Sequence, residues 1–357
     1  MKNEKNAWFI LLFFVFIVGF PIYFFNIYID SANLLHYFHK DETEIADALI
    51  HGETVYFPKH PNERLCKEEL IKKLPSHINT VAIGSSLLMT LNQDLLGLEN
   101  GEFYNLGVSG MNLKDYLNTL GMMKIYNIDA DTFIFLLHID VFLPNTDSRH
   151  EFQDSYGISY LNYLNGYRVT KKDNSYINGL INKLKYSLSI SYFRENLSFF
   201  LSHGKVKNFI VSGNHPEYAH YLSDGSWEYN ENYKKRTIDD VYNDIKNNGK
   251  DFMHVGQYID KDNVILFDTI ITKLLDEGKT IILYFSPYCP SLYEEYPPKN
   301  SPCFKEIEDY IMSYSNKENI TILGSFYPSN LGLEDNNYYD ARHIRREDLY
   351  LAFKKIQ

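Results

Sequence analysis

The chain has 357 residues, a formal net charge of −11, and an aromatic-rich composition with 30 Tyr and 24 Phe. That is enough chain for one large α/β domain or two small ones around a sizeable core. An acidic chain without a Lys/Arg cluster is a poor polyanion binder, which argues against nucleic acid as a partner.

Residues 7–29, "AWFILLFFVFIVGFPIYFFNIYI", carry no charge. A helix of that length crosses a hydrocarbon core of roughly 30 Å. Lys2 and Lys5 precede the run and Asp30 follows it. The positive-inside bias therefore predicts a cytoplasmic tail over residues 1–6, a transmembrane anchor over 7–29 and an extracytoplasmic remainder. Trp8, Tyr23 and Tyr28 suit the two interfaces, and membrane helices tolerate a Pro21 kink. The competing reading is a cleavable signal peptide, whose apolar region runs about 7–15 residues before an A-x-A-like site. Only "DSA" at 30–32 approaches such a site, so we read an uncleaved anchor.

Residues 30–78 read as a membrane-proximal helical segment, with helix-like apolar spacing over 45–50 and 65–74 broken by "PKHPNE". From residue 79 to 357 the pattern changes. Apolar runs rich in β-branched and aromatic residues begin at Thr80, Glu102, Thr132, Lys279 and Asn319, as expected of strands buried on both faces of a parallel sheet. Helical stretches at 113–125, 265–277 and 304–314 alternate with them. The fold class is thus α/β, a doubly wound three-layer α/β/α arrangement with a mainly parallel sheet. Residues 144–263, polar and rich in Tyr and Asn, break the rhythm. They read as a helical insertion over the carboxyl edge of the sheet, with helical pieces at 175–185 and 238–248.

Cys66, Cys289 and Cys303 have no metal-ligand spacing. Cys289 and Cys303 are close enough in sequence to pair in an oxidising compartment; three unpaired thiols is the favoured alternative. No Walker loop and no His/Cys cluster calls for a nucleotide or a metal, so no cofactor is expected.

The first buried run ends at Gly84-Ser85-Ser86. A serine there projects into the crevice above the sheet, and a helix starting at that point favours developing negative charge. A serine needs an imidazole to take its proton, and the imidazole needs a carboxylate to fix its tautomer. Asp340 and His343, spaced D-x-x-H before a last helix at 346–354, supply both. Taken singly the signals are weak. G-x-S occurs at 84–86, 107–109 and 157–159, and D-x-x-H at 147–150, 251–254 and 340–343. The order is what narrows them: one G-x-S closes the first buried strand, a glycine turn closes the second, and one D-x-x-H precedes the C-terminal helix. Each residue has a plainer role as well. Ser86 fits a helix N-cap, Gly110 a turn glycine, Asp140 a strand-end carboxylate, His138 a partly buried hydrogen-bonded residue, and Arg342 a surface charge or a contact to an anionic polymer.

The ordered set resembles the SGNH (GDSL-like) hydrolase superfamily over residues 80–357, with gaps. Gly84-Ser85-Ser86-Leu87 matches its first block, which implies Ser86 as nucleophile and Ser85 in place of the block's Asp. Asn105 to Gly110 matches the second, which implies Gly110 as an oxyanion donor. Asp340 and His343 match the last. In the third, Asp140 of "LLHIDVF" stands where the family has an oxyanion asparagine, and an ionised carboxylate cannot donate a hydrogen bond. The layout looks like the membrane-anchored members of bacterial envelope loci, of the DltD and O-acyltransferase-associated kind. The resemblance implies an SGNH/flavodoxin-like fold and acyl transfer or deacylation on a cell-envelope glycan or teichoic-type polymer, beside a membrane-bound O-acyltransferase. The alternative is a non-catalytic accessory that binds the polymer or that acyltransferase.

Overall fold

A computed structural model describes residues 13, 15–31, 35, 41–144, 153–166, 181, 184–203, 208–297 and 300–354. In chain order the described strands are β1 (Val55–Phe57), β2 (His77–Ile83), β3 (Phe103–Asn105), β4 (Asp129–Leu137), β5 (Ile210–Val211), β6 (Ala219–Tyr221), β7 (Trp227–Glu228), β8 (Thr280–Phe285) and β9 (Ile320–Gly324). Two sheets form. The larger has the order β3-β2-β4-β8-β9, and its four pairings are all parallel. The continuous apolar run of β4, buried from Phe133 to Leu137, occupies the centre, as a strand covered on both faces must.

The register sets the site. Ile83 pairs with Phe135, Phe135 with Leu283, and Phe285 with Gly324, so the carboxyl ends of the strands finish together. The chain leaves β2 for β3 on one side and then reaches β4 on the other. Between the carboxyl ends of β2 and β4 lies the point where connections diverge and a crevice opens.

Helices Leu113–Ile125, Lys261–Asp276 and Pro302–Met312 lie in the connections. The first is started by a capping box in which the Asn112 side chain accepts from residue 115 and Asp115 accepts from Asn112. Asp115 also accepts from Nε and Nη2 of Arg64, at 2.8 and 2.9 Å, in a buried pair. Arg64 belongs to helix Glu63–Lys73, so this part of the segment before β2 is built into the core. Ile45, Leu49, Leu70 and Ile71 are buried in the same apolar cluster as β2 and β4.

That segment also carries a strand. β1 sits in the middle of the second, antiparallel sheet, of order β5-β1-β6-β7, beside strands drawn from the insertion. The insertion is therefore mixed: helices Asp154–Leu164, Ile190–His203 and Ile238–Phe252, with strands of two or three residues between them. Strands that short leave no alternation to read in sequence.

At the N-terminus a π-helical turn, Val15–Gly19, passes into helix Phe20–Ile29. Lys2, Lys5, Trp8 and residues 7–12 and 14 of the apolar run lie outside the described residues. Among the described residues no helix is long and apolar enough to cross a membrane. The three cysteines are buried free thiols, so Cys289 and Cys303 do not pair.

Candidate active site

Position 84 must be glycine because β2 and β4 come close together there: a Cβ would sit 2.5 Å from Leu136 Cβ. Beyond it the chain does not enter an α-helix, which corrects the expected helix start at Ser86. Instead a run of tight turns forms, with Leu88 N–H donating to Ser85 O, Met89 N–H to Ser86 O and Leu91 N–H to Leu88 O. Asn105 explains why. Its amide donates to Leu88 O at 2.8 Å and Leu91 O at 2.9 Å, while its oxygen accepts from Gly107 N–H at 2.9 Å. Carbonyls that would extend a helix are held by a side chain from the next strand. Ser86 stands half-buried on this clamped turn.

At the far end of the chain Tyr338 and Ile344 bridge antiparallel, and Tyr339 N–H donates to His343 O at 2.8 Å. Inside this small loop Asp340 Oδ1 accepts from the backbone N–H groups of Arg342 and His343, both at 2.9 Å. Its Oδ2 lies 2.8 Å from His343 Nδ1 and accepts from the Tyr233 hydroxyl. His343 Nε2 is 2.9 Å from Ser86 Oγ. With Nδ1–H donated to the carboxylate, Nε2 keeps its lone pair and faces the serine hydroxyl as an acceptor. The structure thus brings Ser86, His343 and Asp340 into one hydrogen-bonded line. Burial pushes the Asp340 carboxyl up, but His343, then the Tyr233 hydroxyl and the Arg342 N–H, outweigh it and hold the group well below the ordinary carboxylate range.

The insertion covers this line. Tyr229 presents its ring at a steep angle to the imidazole, with centroids 6.1 Å apart, and stacks on Tyr233 at 4.2 Å. Arg345 donates to Lys234 O and Arg236 O, fastening the catalytic-type loop to the same element. None of these partners was legible in sequence: Tyr233 lies 107 positions from Asp340 and belongs to no spacing pattern.

The remaining candidates divide. Asn105 is fully buried with its hydrogen bonds spent inside the protein, where it holds the turn. Ser85 is also buried, and its hydroxyl has no hydrogen-bond partner. Gly110 is half-buried at φ +61, a left-handed conformation that favours glycine. The preceding Ser109 is gripped by Glu63, which accepts from its N–H at 2.5 Å and its hydroxyl at 2.9 Å.

Asp140 follows β4 and is surrounded by two imidazoles and Arg342. His138 Nδ1 is 3.1 Å from one oxygen and His254 Nε2 3.5 Å from the other. His138 Nδ1 is also 3.4 Å from Asp140 N–H, and one nitrogen cannot both donate and accept. The shorter contact to the carboxylate sets the proton on Nδ1, leaving Nε2 to accept from the Tyr288 hydroxyl at 2.9 Å. Burial raises the Asp140 carboxyl, but His138, His254 and Arg342 hold it well below the ordinary range, so it is ionised. Of the other D-x-x-H matches, Asp147 and His150 lie outside the described residues. His254 of the second makes no hydrogen bond to Ser86 and turns to Asp140 instead. Among the described residues no His/Cys/Asp/Glu group is arranged to hold a metal ion. A cleft of about 420 Å³ lies beside Tyr339, walled by Asn92, Asp94, Glu228, Lys234 and Arg346. No family model matches the chain, and no curated protein shows significant similarity to it.

Proposed function

We propose that this chain is a membrane-anchored SGNH-type serine acyltransferase or esterase, acting outside the cytoplasm on a cell-envelope glycan or teichoic-type polymer. The observation that carries the reading is the line Ser86 Oγ, His343 Nε2, His343 Nδ1, Asp340 Oδ2, joined by 2.9 and 2.8 Å contacts, the first between residues 257 positions apart. A strand order that counts 2-1-3-4-5 along the larger sheet agrees with the flavodoxin-like arrangement of that superfamily.

In this reading Ser86 Oγ attacks the acyl carbonyl as His343 Nε2 takes the hydroxyl proton, and ionised Asp340 stabilises the imidazolium. The backbone N–H groups of Ser86 and Gly110 hold the oxyanion. The tetrahedral intermediate expels the donor's leaving oxygen, which receives the proton back from His343. The acyl-serine then passes its acyl group to an acceptor hydroxyl, or to water, by the same steps in reverse. The charged and amide side chains around the cleft beside Tyr339 suit a hydroxyl-rich acceptor, and an anchor at 7–29 raises the effective concentration of a membrane-borne donor or of a partner acyltransferase.

One observation favours a second reading. Ionised Asp140, in place of a neutral oxyanion donor, suits an accessory protein that binds the polymer without turning it over. A fluorophosphonate probe separates the two. Stoichiometric labelling that disappears in Ser86→Ala, and falls by about 10³-fold or more in rate in His343→Ala, is expected of the enzyme. Absence of labelling in the folded wild-type protein rules it out in favour of the accessory.

A further inference from the structure

Helix Ile190–His203 packs on the protein along one side and is exposed along the other, where the long Arg194 side chain borders the apolar residues described below. On the packed side Tyr192 and Asn196 are buried, and the Asn196 side chain accepts from Ser31 N–H at 2.8 Å and donates to the Asn26 side chain at 3.1 Å. The exposed polar residues are Ser191, Arg194, Glu195 and Ser198. At i, i+7 and i+11 spacing the helix also carries Ile190, Leu197 and Leu201 into solvent, with Phe200 beside them. Leu201 is 76% exposed and Ile190 58%. An apolar arc that no described residue covers is unusual for a water-facing helix, and larger apolar patches mark interaction surfaces.

What adjoins the arc is the end of the N-terminal apolar run. Phe25 contacts the rings of Phe193 and Phe200 at 5.1 and 6.1 Å. Helix Phe20–Ile29 itself exposes Phe20 and Phe24, and Phe16 and Ile17 precede them, also exposed. The charge-free stretch of residues 7–29 and the arc of the second helix are therefore joined through aromatic contacts. At one edge of the joint sits a polar layer: Asn26 donates to Ser187 O and Ser189 O, both at 3.0 Å, and Asp30 accepts from the Tyr192 hydroxyl at 2.5 Å. A polar layer ending an apolar surface is the pattern of an element lying at the boundary between acyl chains and headgroups.

We infer that helix Ile190–His203 is an interfacial membrane element, lying against the bilayer beside the N-terminal helix with Ile190, Leu197 and Leu201 toward the acyl chains. The inference rests on the reading of residues 7–29 as an anchor. Its consequence is that the insertion is attached to the membrane at a second point. Because the same insertion supplies Tyr229 and Tyr233 to the site, its position over Ser86 is coupled to the lipid surface.

The test uses the full chain in vesicles of phosphatidylcholine and phosphatidylglycerol. Native Cys66, Cys289 and Cys303 are buried, so a polarity-sensitive thiol dye reports the introduced cysteine. Three variants are compared: Phe16→Cys in the N-terminal run, Leu201→Cys on the arc, and Tyr242→Cys on an exposed face of helix Ile238–Phe252. Lipids spin-labelled on the acyl chain should quench the Phe16 and Leu201 probes, the second at least half as strongly as the first, and leave the Tyr242 probe unchanged. Quenching at Phe16 without quenching at Leu201 overturns the inference and leaves the anchor standing. Quenching at neither overturns both. A Leu201 probe shifted to the blue but not quenched shows protein covering the arc, by a second copy or a partner, and also overturns it.

Discussion

In the proposed acyl-transfer reading Asp140 puts a negative charge where that chemistry uses a neutral donor, and His138, His254 and Arg342 favour that charge. Asp140→Asn removes a charge that opposes an oxyanion, so hydrolysis of a small acetyl ester is expected to rise severalfold while modification of the native polymer falls. A fall on the small ester would make Asp140 a participant in the chemistry, and no change in either assay would leave it a strand-end carboxylate. Its neighbour His254 gives a pH signature. Burial pushes this imidazole down to about 4, against the opposing pull of Asp140 and with His138 and Arg342 adding to the depression. The unfolded chain therefore takes up the proton first on acidification. The contribution to stability is full above about pH 6.5 and lost as pH falls toward 4, by at most about 3 kcal/mol. Asp140 and Asp340, both depressed, lose theirs from about pH 5 downward and mostly below pH 4, so they reach only the acid end of that window. Urea midpoints between pH 4 and 7 should fall steeply in the wild type and less so in His254→Gln; parallel curves would refute the assignment.

The element that decides the shape of the nucleophile turn is the carboxyl end of β3. Asn105 ties Leu88 O, Leu91 O and Gly107 N–H together. Asn105→Ala leaves buried backbone groups unpaired, at a cost of about 2–4 kcal/mol in urea unfolding. Asn105→Asp should cost more, since a carboxylate faces two carbonyl oxygens to which it cannot donate. Equal stability of the two variants would mean that the amide donor is not what holds the turn. The same strand end marks how far the sequence could be read. The long strands of the parallel sheet were legible because runs such as "TFIFLLHI" are apolar at every position, as strands covered on both faces must be. So was the chain order that sets Ser86 near His343. A helix at Ser86 was the natural expectation from strand–turn–helix rhythm, and it fails because a side chain 17 positions from Leu88 captures the carbonyls. Strands of two or three residues in the second sheet, and contacts such as Tyr233 to Asp340, arise only when distant segments meet; local periodicity carries no trace of them.

At the scale of the whole molecule, residues 41–74 are the part whose position in the fold differs most from their position in the sequence. They precede the first strand of the parallel sheet, yet they hold three separate pieces of the site's support. Arg64 pairs with Asp115, Glu63 grips Ser109, and Lys67, fully buried, donates to Asn105 O at 2.8 Å and to Gly225 O. Burial lowers the Lys67 ammonium to about 8, a sign that the fold accepts a costly buried cation to tie the carboxyl end of β3 to the β6–β7 turn. Removing this segment leaves Asp115 as an unpaired buried charge, worth about 3–5 kcal/mol. It also uncovers the contacts of Ile45, Leu49, Val55, Leu70 and Ile71, at about 1.5–3 kcal/mol for each buried side chain. Together these come to about 10–20 kcal/mol, as large as the 5–15 kcal/mol by which a typical domain is stable. A chain beginning at residue 79 is therefore expected to show no cooperative thermal unfolding and no fluorophosphonate labelling. One beginning at residue 41 should keep a single cooperative transition, because the core contacts just named are all retained. Cooperative unfolding of the shorter chain would mean that the parallel sheet is an independent unit and that the helices before it are an accessory layer.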